Sequence, residues 1–210
     1  MSKKALIECV MLAAGLSSRM GDWKMMLPWG AGTLLDSALR SAFTLCDRVI
    51  LVTGHRGNEL ARYYRGQPAI TLVHNADYAS GMFSSVKCGA AAVTSRRFFL
   101  ALGDMPEVSP TVYSALWQHP DHDHCLVPGY DQGQGHPVLL PAQALALISN
   151  APADSSLKTI VRQIGTCTVA VDEPGIHCDI DTPAQYRQRA ELNRLLDTLP
   201  RRRINPHGGR

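Results

Sequence analysis

The 210-residue chain is 45% hydrophobic and 19% charged, a balance that supports a buried core and excludes an intrinsically disordered protein. Twenty-one basic and 18 acidic residues leave a net charge of +3, too mild an excess to call for nucleic acid or a membrane surface as a partner. The length suits one domain, set at residues 1–197, followed by a basic tail over 198–210 that carries Arg201, Arg202 and Arg203 and is expected to be disordered.

Residues 6–12 form an apolar run that predicts a buried strand, followed at once by the small-residue turn Ala13-Ala14-Gly15. Thr33-Leu34-Leu35-Asp36 resembles a capping box, with Asp36 in place of Glu or Gln, and opens a helix running to about residue 45. A strand over 48–53, a turn over 54–57, a short helix over 58–64 and a strand over 69–74 follow. Ser84 or Ser85 is expected to cap a helix through residue 93. The next strand, 98–102, is stopped by Gly103-Asp104-Met105-Pro106, and Pro110 starts a helix. Beyond Asp121 the pattern loosens into a strand over 136–140, helices over 142–148 and 155–163, a strand over 166–171 and a last helix from Thr182-Pro183 to about 196. Strands alternating with helices predict an α/β domain, a Rossmann-like three-layer α/β/α stack on a mainly parallel sheet. In such sheets ligands sit at the carboxyl ends of the strands.

The first apolar run is interrupted by Glu8, Gly15 and Ser17, far short of the ~20 residues of a membrane span. Lys3 and Lys4 precede too short an apolar segment for a signal peptide, so a cytoplasmic location is expected. The six cysteines are scattered without a C-x-x-C pair, which favours buried thiols over a zinc site or disulfide framework. His119, His122, His124 and Cys125 match no standard zinc spacing and are read as an exposed loop.

Five segments carry candidate chemistry. The loop from Leu12 through Ala13, Ala14 and Gly15 to Arg19 and Lys24 offers backbone N–H groups and two cations to a triphosphate. It is neither a Walker loop nor a dinucleotide fingerprint, and an ordinary strand-to-helix turn explains its composition too. Asp104 follows an apolar strand at the ligand edge, where a single carboxylate with triphosphate oxygens suits Mg²⁺; a turn or cap role is the plainer alternative. In Cys178-Asp179-Ile180-Asp181-Thr182-Pro183, an extended backbone puts Asp179 and Asp181 on one face, where they repel unless a cation or donor lies between them. Helix capping is again the alternative. Ser84 and Ser85 can bind a base or anion at a helix start, or simply cap it, and Gly135-His136-Pro137 holds a constrained histidine that can face an acceptor or merely solvent.

Taken in order, Leu12 to Lys24, Val-Thr-Gly-His-Arg at 52–56, Gly-Met-x-Ser-Ser-Val at 81–86, Gly-Asp-Met-Pro at 103–106, Gly-His-Pro-Val at 135–138 and Asp-Ile-Asp-Thr-Pro at 179–183 resemble the molybdenum cofactor cytidylyltransferase family. The resemblance covers about residues 5–190. It implies a nucleotide-diphospho-sugar transferase type of fold and CMP transfer from CTP to molybdenum-molybdopterin, with release of pyrophosphate. By the same resemblance the 12–24 loop holds base and triphosphate, and Arg19 and Lys24 act on the phosphates. Asp104 with Asp179 and Asp181 holds Mg²⁺ (or Mn²⁺), Ser84 and Ser85 lie near the nucleotide, and Gly135 and His136 face the acceptor. A molybdoenzyme receiving the product is the implied partner. Ala14 stands where related guanylyltransferases carry glycine, which leans toward CTP. The chain departs from the family at Ala153-Asp154-Ser155-Ser156-Leu157-Lys158, where a Gly-Asp-x-Gly-Ala-Arg anion segment is usual; Lys158 is a partial stand-in for its arginine. Two rivals stay open: a cytidylyl- or uridylyltransferase acting on a sugar or alditol phosphate, and a non-catalytic chaperone for the molybdenum cofactor.

Overall fold

The computed structural model describes residues 5–131 and 133–198, so the expected tail lies, from residue 199 on, outside the described residues. The first strand, β1 (Glu8–Ala13), is buried at all six positions and sits at the centre of the sheet. A hairpin of two short strands, β2 (Pro28–Trp29) and β3 (Gly32–Thr33), leads into α1 (Leu34–Phe43). The Thr33 hydroxyl accepts from the Asp36 amide while the Asp36 carboxylate accepts from the Thr33 amide, so the expected capping box forms with Asp in the reciprocal position. There follow β4 (Arg48–Thr53), α2 (Gly57–Tyr63), β5 (Ile70–His74), α3 (Met82–Ala90), β6 (Arg97–Leu102) and α4 (Pro110–Gln118).

The second half holds β7 (Cys125–Tyr130), β8 (Gly133–Gln134), β9 (Val138–Pro141), α5 (Gln143–Asn150), α6 (Leu157–Ile164), β10 (Thr166–Ala170) and α7 (Pro183–Thr198). Strand β7 has no counterpart in the sequence reading; Pro128 and Gly129 hide it. Helix α3 also differs. It begins at Met82 behind Gly81, whose φ of 117° only glycine adopts readily, so Ser84 and Ser85 lie inside its first turn and do not cap it.

The sheet order is β10-β7-β9-β6-β1-β4-β5, with β8 on β7. β1 is parallel to both β4 and β6, β4 is parallel to β5 and β7 to β10, while β9 runs antiparallel to β6 and β7. The sheet is therefore mainly parallel, and apolar clusters cover both of its faces. A third, small cluster packs Met20, Trp29, Leu34 and Ile180 together with Tyr186 of α7, whose hydroxyl donates to Pro28 O at 2.8 Å. This cluster pins the 15–22 loop and the 178–182 segment to the same wall. No helix among the described residues is long and apolar enough to cross a membrane, and the six cysteines are unpaired.

Glu8, which interrupts the first apolar run, is fully buried. Its carboxylate accepts from Arg48 Nη1 at 2.7 Å and from the Thr94 and Ser95 amides at 2.7 and 2.6 Å. Burial alone would raise this carboxyl; the two amides, the Ser95 hydroxyl and Arg48 outweigh it and hold the group below its ordinary 4.5. A depressed carboxyl contributes stability that is present above the unfolded pKa and lost as the pH falls through the folded one. Glu8→Gln is therefore expected to cost about 3 kcal/mol at pH 7 in urea denaturation. The gap to the natural protein should narrow below pH 4.5; a gap independent of pH would show that Glu8 acts only through shape.

Candidate active site

Parallel β1 and β6 end side by side, which places the loop after Ala13 next to the turn after Leu102. Gly103 N donates to Leu12 O at 2.9 Å, and a Cβ at Gly103 would lie 2.9 Å from Leu35 Cδ1 and 3.1 Å from that same carbonyl. Glycine here lets Asp104 sit directly beside the β1 loop. The loop itself turns through Ser17 and Gly21, both at positive φ, and then buries Trp23, Lys24 and Met25. Lys24 N donates to Ser17 Oγ at 3.3 Å, which closes the loop on itself.

The Lys24 side chain is 7% exposed, and its ammonium lies 2.7 Å from Asp104 Oδ2 and 2.7 Å from Asp181 Oδ1. Arg19 pairs with the other oxygen of Asp181 from the solvent side. Burial works against the Lys24 charge, but Asp104 and then Asp181 outweigh it and raise its pKa. Burial likewise works against Asp181, and Lys24 overcomes it and depresses the carboxyl. Asp179 goes the other way: burial and then the neighbouring Asp181 raise it. The 178–181 segment is not a paired strand, yet its burial alternates as in one. Ile180 turns inward, 1% exposed, with its amide on Asp104 O at 3.0 Å, and Asp179 and Asp181 interact.

Leu12, Ala14, Gly15, Arg19, Lys24, Ser85, Asp104 and Asp181 line one cleft of about 260 Å³. Tyr78 and Met82 line it too. Met82 belongs to a motif quoted above but was not itself singled out, and no local pattern marks Tyr78. Ser84 faces a neighbouring depression instead. Asn75, 5% exposed and also unmarked in the sequence, donates through Nδ2 to Ser84 Oγ at 2.8 Å and Ser85 Oγ at 3.0 Å, fixing both serines. Gly135 is packed under Ile176, whose carbonyl occupies the place of a Cβ, and His136 follows with its Nδ1 buried and without a partner. Burial lowers the His136 pKa, against the Leu100 main chain and Asp104, which raise it. Lys158 stands on the exposed first turn of α6 and does not line the cleft.

No group of three His, Cys, Asp or Glu side chains among the described residues forms a metal cage. Mg²⁺ with a triphosphate needs only one or two carboxylates. Asp104 Oδ1, buried and unpartnered, has the free lone pairs that such an ion takes.

A family model for the MobA-like NTP transferase domain matches residues 9–169. The chain belongs to this family. It is 40% identical over 180 residues, 86% of this chain and 93% of the relative, to the molybdenum cofactor cytidylyltransferase of Escherichia coli strain K12. Among solved structures, the Rv0371c protein of Mycobacterium tuberculosis H37Rv superimposes with a TM-score of 0.76 at 26% identity, covering 89% of this chain and 98% of that one. Its manganese complex gives 0.71 at 24% identity, covering 89% and 98%. A nucleotidyl transferase from Methanothermobacter thermautotroptrophicus gives 0.78 at 21%, covering 91% and 99%. The match to the MobA-like domain runs from β1 to β10 and ends before Asp179 and Asp181.

Removing the Lys24 cation leaves Asp104 and Asp181 facing each other without their shared partner. Because Asp181 is depressed by Lys24, that stabilisation exists above about pH 3.8 and disappears below it. Lys24→Met should cost about 2 kcal/mol at pH 7, with the deficit holding down to about pH 4 and shrinking toward about pH 3, as the carboxylates take up protons. Parallel unfolding curves at about pH 7 and about pH 3 measure it, and a variant as stable as the natural protein at pH 7 would contradict the clamp.

Proposed function

We propose that this chain transfers CMP from CTP to the molybdenum-bound molybdopterin cofactor and releases pyrophosphate. The observation that carries this reading is the buried Lys24 ammonium held between Asp104 and Asp181 in a cleft walled by a small-residue loop. Cations there suit the end of a triphosphate, and the carboxylates would hold a divalent ion that offsets phosphate charge. The 40% identity to the E. coli cytidylyltransferase supports the base and the acceptor.

An acceptor phosphate is anionic at neutral pH, so no general base is required. One of its oxygens bonds to the α-phosphorus of CTP as the bond from that phosphorus to the bridging α–β oxygen breaks, and the electron pair leaves with pyrophosphate. Catalysis is then positioning and charge stabilisation. Arg19 and Lys24 stabilise the departing pyrophosphate, and Ala14, Gly15, Ser17 and Ser18 line the cleft beside them. Asp104, with Asp181 or Asp179, would hold Mg²⁺ or Mn²⁺, which neutralises charge on the phosphate oxygens when bound; the manganese found with the mycobacterial relative fits this. Gly135 and His136 would face the acceptor. Transfer to another phosphorylated acceptor is the second reading, favoured by the altered 153–158 segment and by Lys158 standing away from the cleft.

Pyrophosphate release, measured with each NTP, Mg²⁺ and molybdenum cofactor, should appear with CTP alone. Release with CTP only when a sugar phosphate replaces the cofactor would favour the second reading. Asp104→Ala should lower kcat by at least about 100-fold in a variant that is destabilised by the lost Lys24 contact but still folded at the assay temperature; near-natural turnover in that variant would remove Asp104 from the reaction.

A further inference from the structure

The Val-Thr-Gly-His-Arg motif at 52–56 contributes no side chain to the cleft lining, yet its turn touches the cleft from behind at three points. β4 runs parallel to β1, so the turn after Thr53 lies against the loop after Ala13. A Cβ at Gly54 would lie 2.5 Å from Tyr78 Cβ and 2.9 Å from Ala14 Cβ, so only glycine lets both cleft-lining residues close on this strand end. His55 N donates to Ala14 O at 3.2 Å, and its ring lies 6.3 Å from that of Tyr78.

The third point is Arg56. It stands just before α2 at φ 53°, in the left-handed region, and its side chain makes no cap bond. Its guanidinium instead lies over the Trp23 ring, 4.5 Å from the centroid, with Nη1 4.0 Å from Asp22. Nε and Nη2 donate to the two oxygens of Glu59 at 2.6 and 2.7 Å, a fork that fixes the plane of the stack. Trp23 is 5% exposed and is followed directly by Lys24. The 15–22 loop is thus anchored in its middle by Met20 and at its exit by the Arg56–Trp23 stack.

We propose that Arg56 is a positioning residue for the nucleotide: its stack on Trp23 fixes the exit of the 15–22 loop, and through it the places of Arg19 and Lys24. This rests on the reading of the cleft as an NTP site. Arg56 is half-exposed and fills no core space, so its loss opens no cavity. Its effect should therefore travel through the loop and be felt by the triphosphate in the ground state as much as in the transition state, as a KM effect.

Arg56→Ala keeps a β-carbon, so the backbone demand at φ 53° is unchanged and only the stack is lost. Three readouts are compared with the natural protein: CTP affinity with Mg²⁺ by calorimetry, KM and kcat for CTP, and the rate of trypsin cleavage after Arg19. Arg56→Ala is expected to weaken CTP binding and raise KM roughly tenfold with kcat within about twofold. It should also speed cleavage after Arg19, with saturating CTP restoring protection. Arg56→Lys, which keeps the cation but not the planar fork, should fall between the two. Should Arg56→Ala melt early, Glu59→Gln, which loosens the fork and leaves the stack in place, should shift KM and cleavage in the same direction by less. Unchanged affinity and unchanged cleavage in Arg56→Ala would overturn the proposal. If the natural protein binds no NTP, the nucleotide reading fails, and cleavage after Arg19 alone decides whether Arg56 holds the loop.

Discussion

Two carboxylates converge on the carboxyl edge of the sheet, and both stay there because a cation lies between them. Lys24 supplies it from a loop, Asp104 comes from the turn after β6, and Asp181 comes from a segment 157 residues along the chain from Lys24. None of the three is comfortable alone. A lysine 7% exposed would lose its proton in an apolar setting, and two neighbouring carboxylates would repel. Together they satisfy each other: Lys24 is held up and Asp181 is held down. The loop, the β6 turn and the 178–182 segment are thereby fixed in one place by electrostatics, with the Met20–Trp29–Leu34–Ile180 cluster as the apolar backing.

The clamp also explains why the site was only half legible in the sequence. Residue types and strand ends were readable: apolar runs at 48–53 and 98–102 became β4 and β6, and Asp104 does stand at the ligand edge. The one-face argument for Asp179 and Asp181 holds in a segment that is not a paired strand, because Cys178 turns inward before them and Ile180 between them. What local pattern does not encode is which charges meet. That Lys24 and Arg19 also pair with Asp104 and Asp181 across the fold is written in no local motif. The same blindness hid Tyr78 and Asn75, which matter only because β5 and α3 bring them to the β1 loop.

The losses in the fold have equally local causes. Strand β7 carries Pro128 and Gly129, residues that argue against a strand wherever propensity decides. Tertiary pairing with β10, β8 and β9 overrides them, and the Pro128 carbonyl accepts from Gly135 N at 3.0 Å. Ser84 reads as a cap, but Gly81 occupies that position and Ser84 is held inside the helix by Asn75. Glu8 interrupts the apolar run of the first strand, and it is the buried tie of that strand to β4 and to the residues before β6.

An in-line displacement needs the attacking and leaving oxygens on opposite sides of the phosphorus. The sheet offers two such sides. Arg19, Lys24 and the small-residue loop lie over β1, toward β4, while His136 lies beyond β6 on the approach to β9, with Asp104 between them at the end of β6. Asp104 Oδ1 and His136 Nδ1 are both buried and without partners, and unsatisfied polar atoms at that depth are costly. On the proposed reading Asp104 Oδ1 would serve the divalent ion of the nucleotide, and His136 Nδ1, farther along toward β9, would be open to a second, separately bound substrate. The antiparallel β9 is what carries His136 there: it starts at the same edge where its neighbours β6 and β7 end.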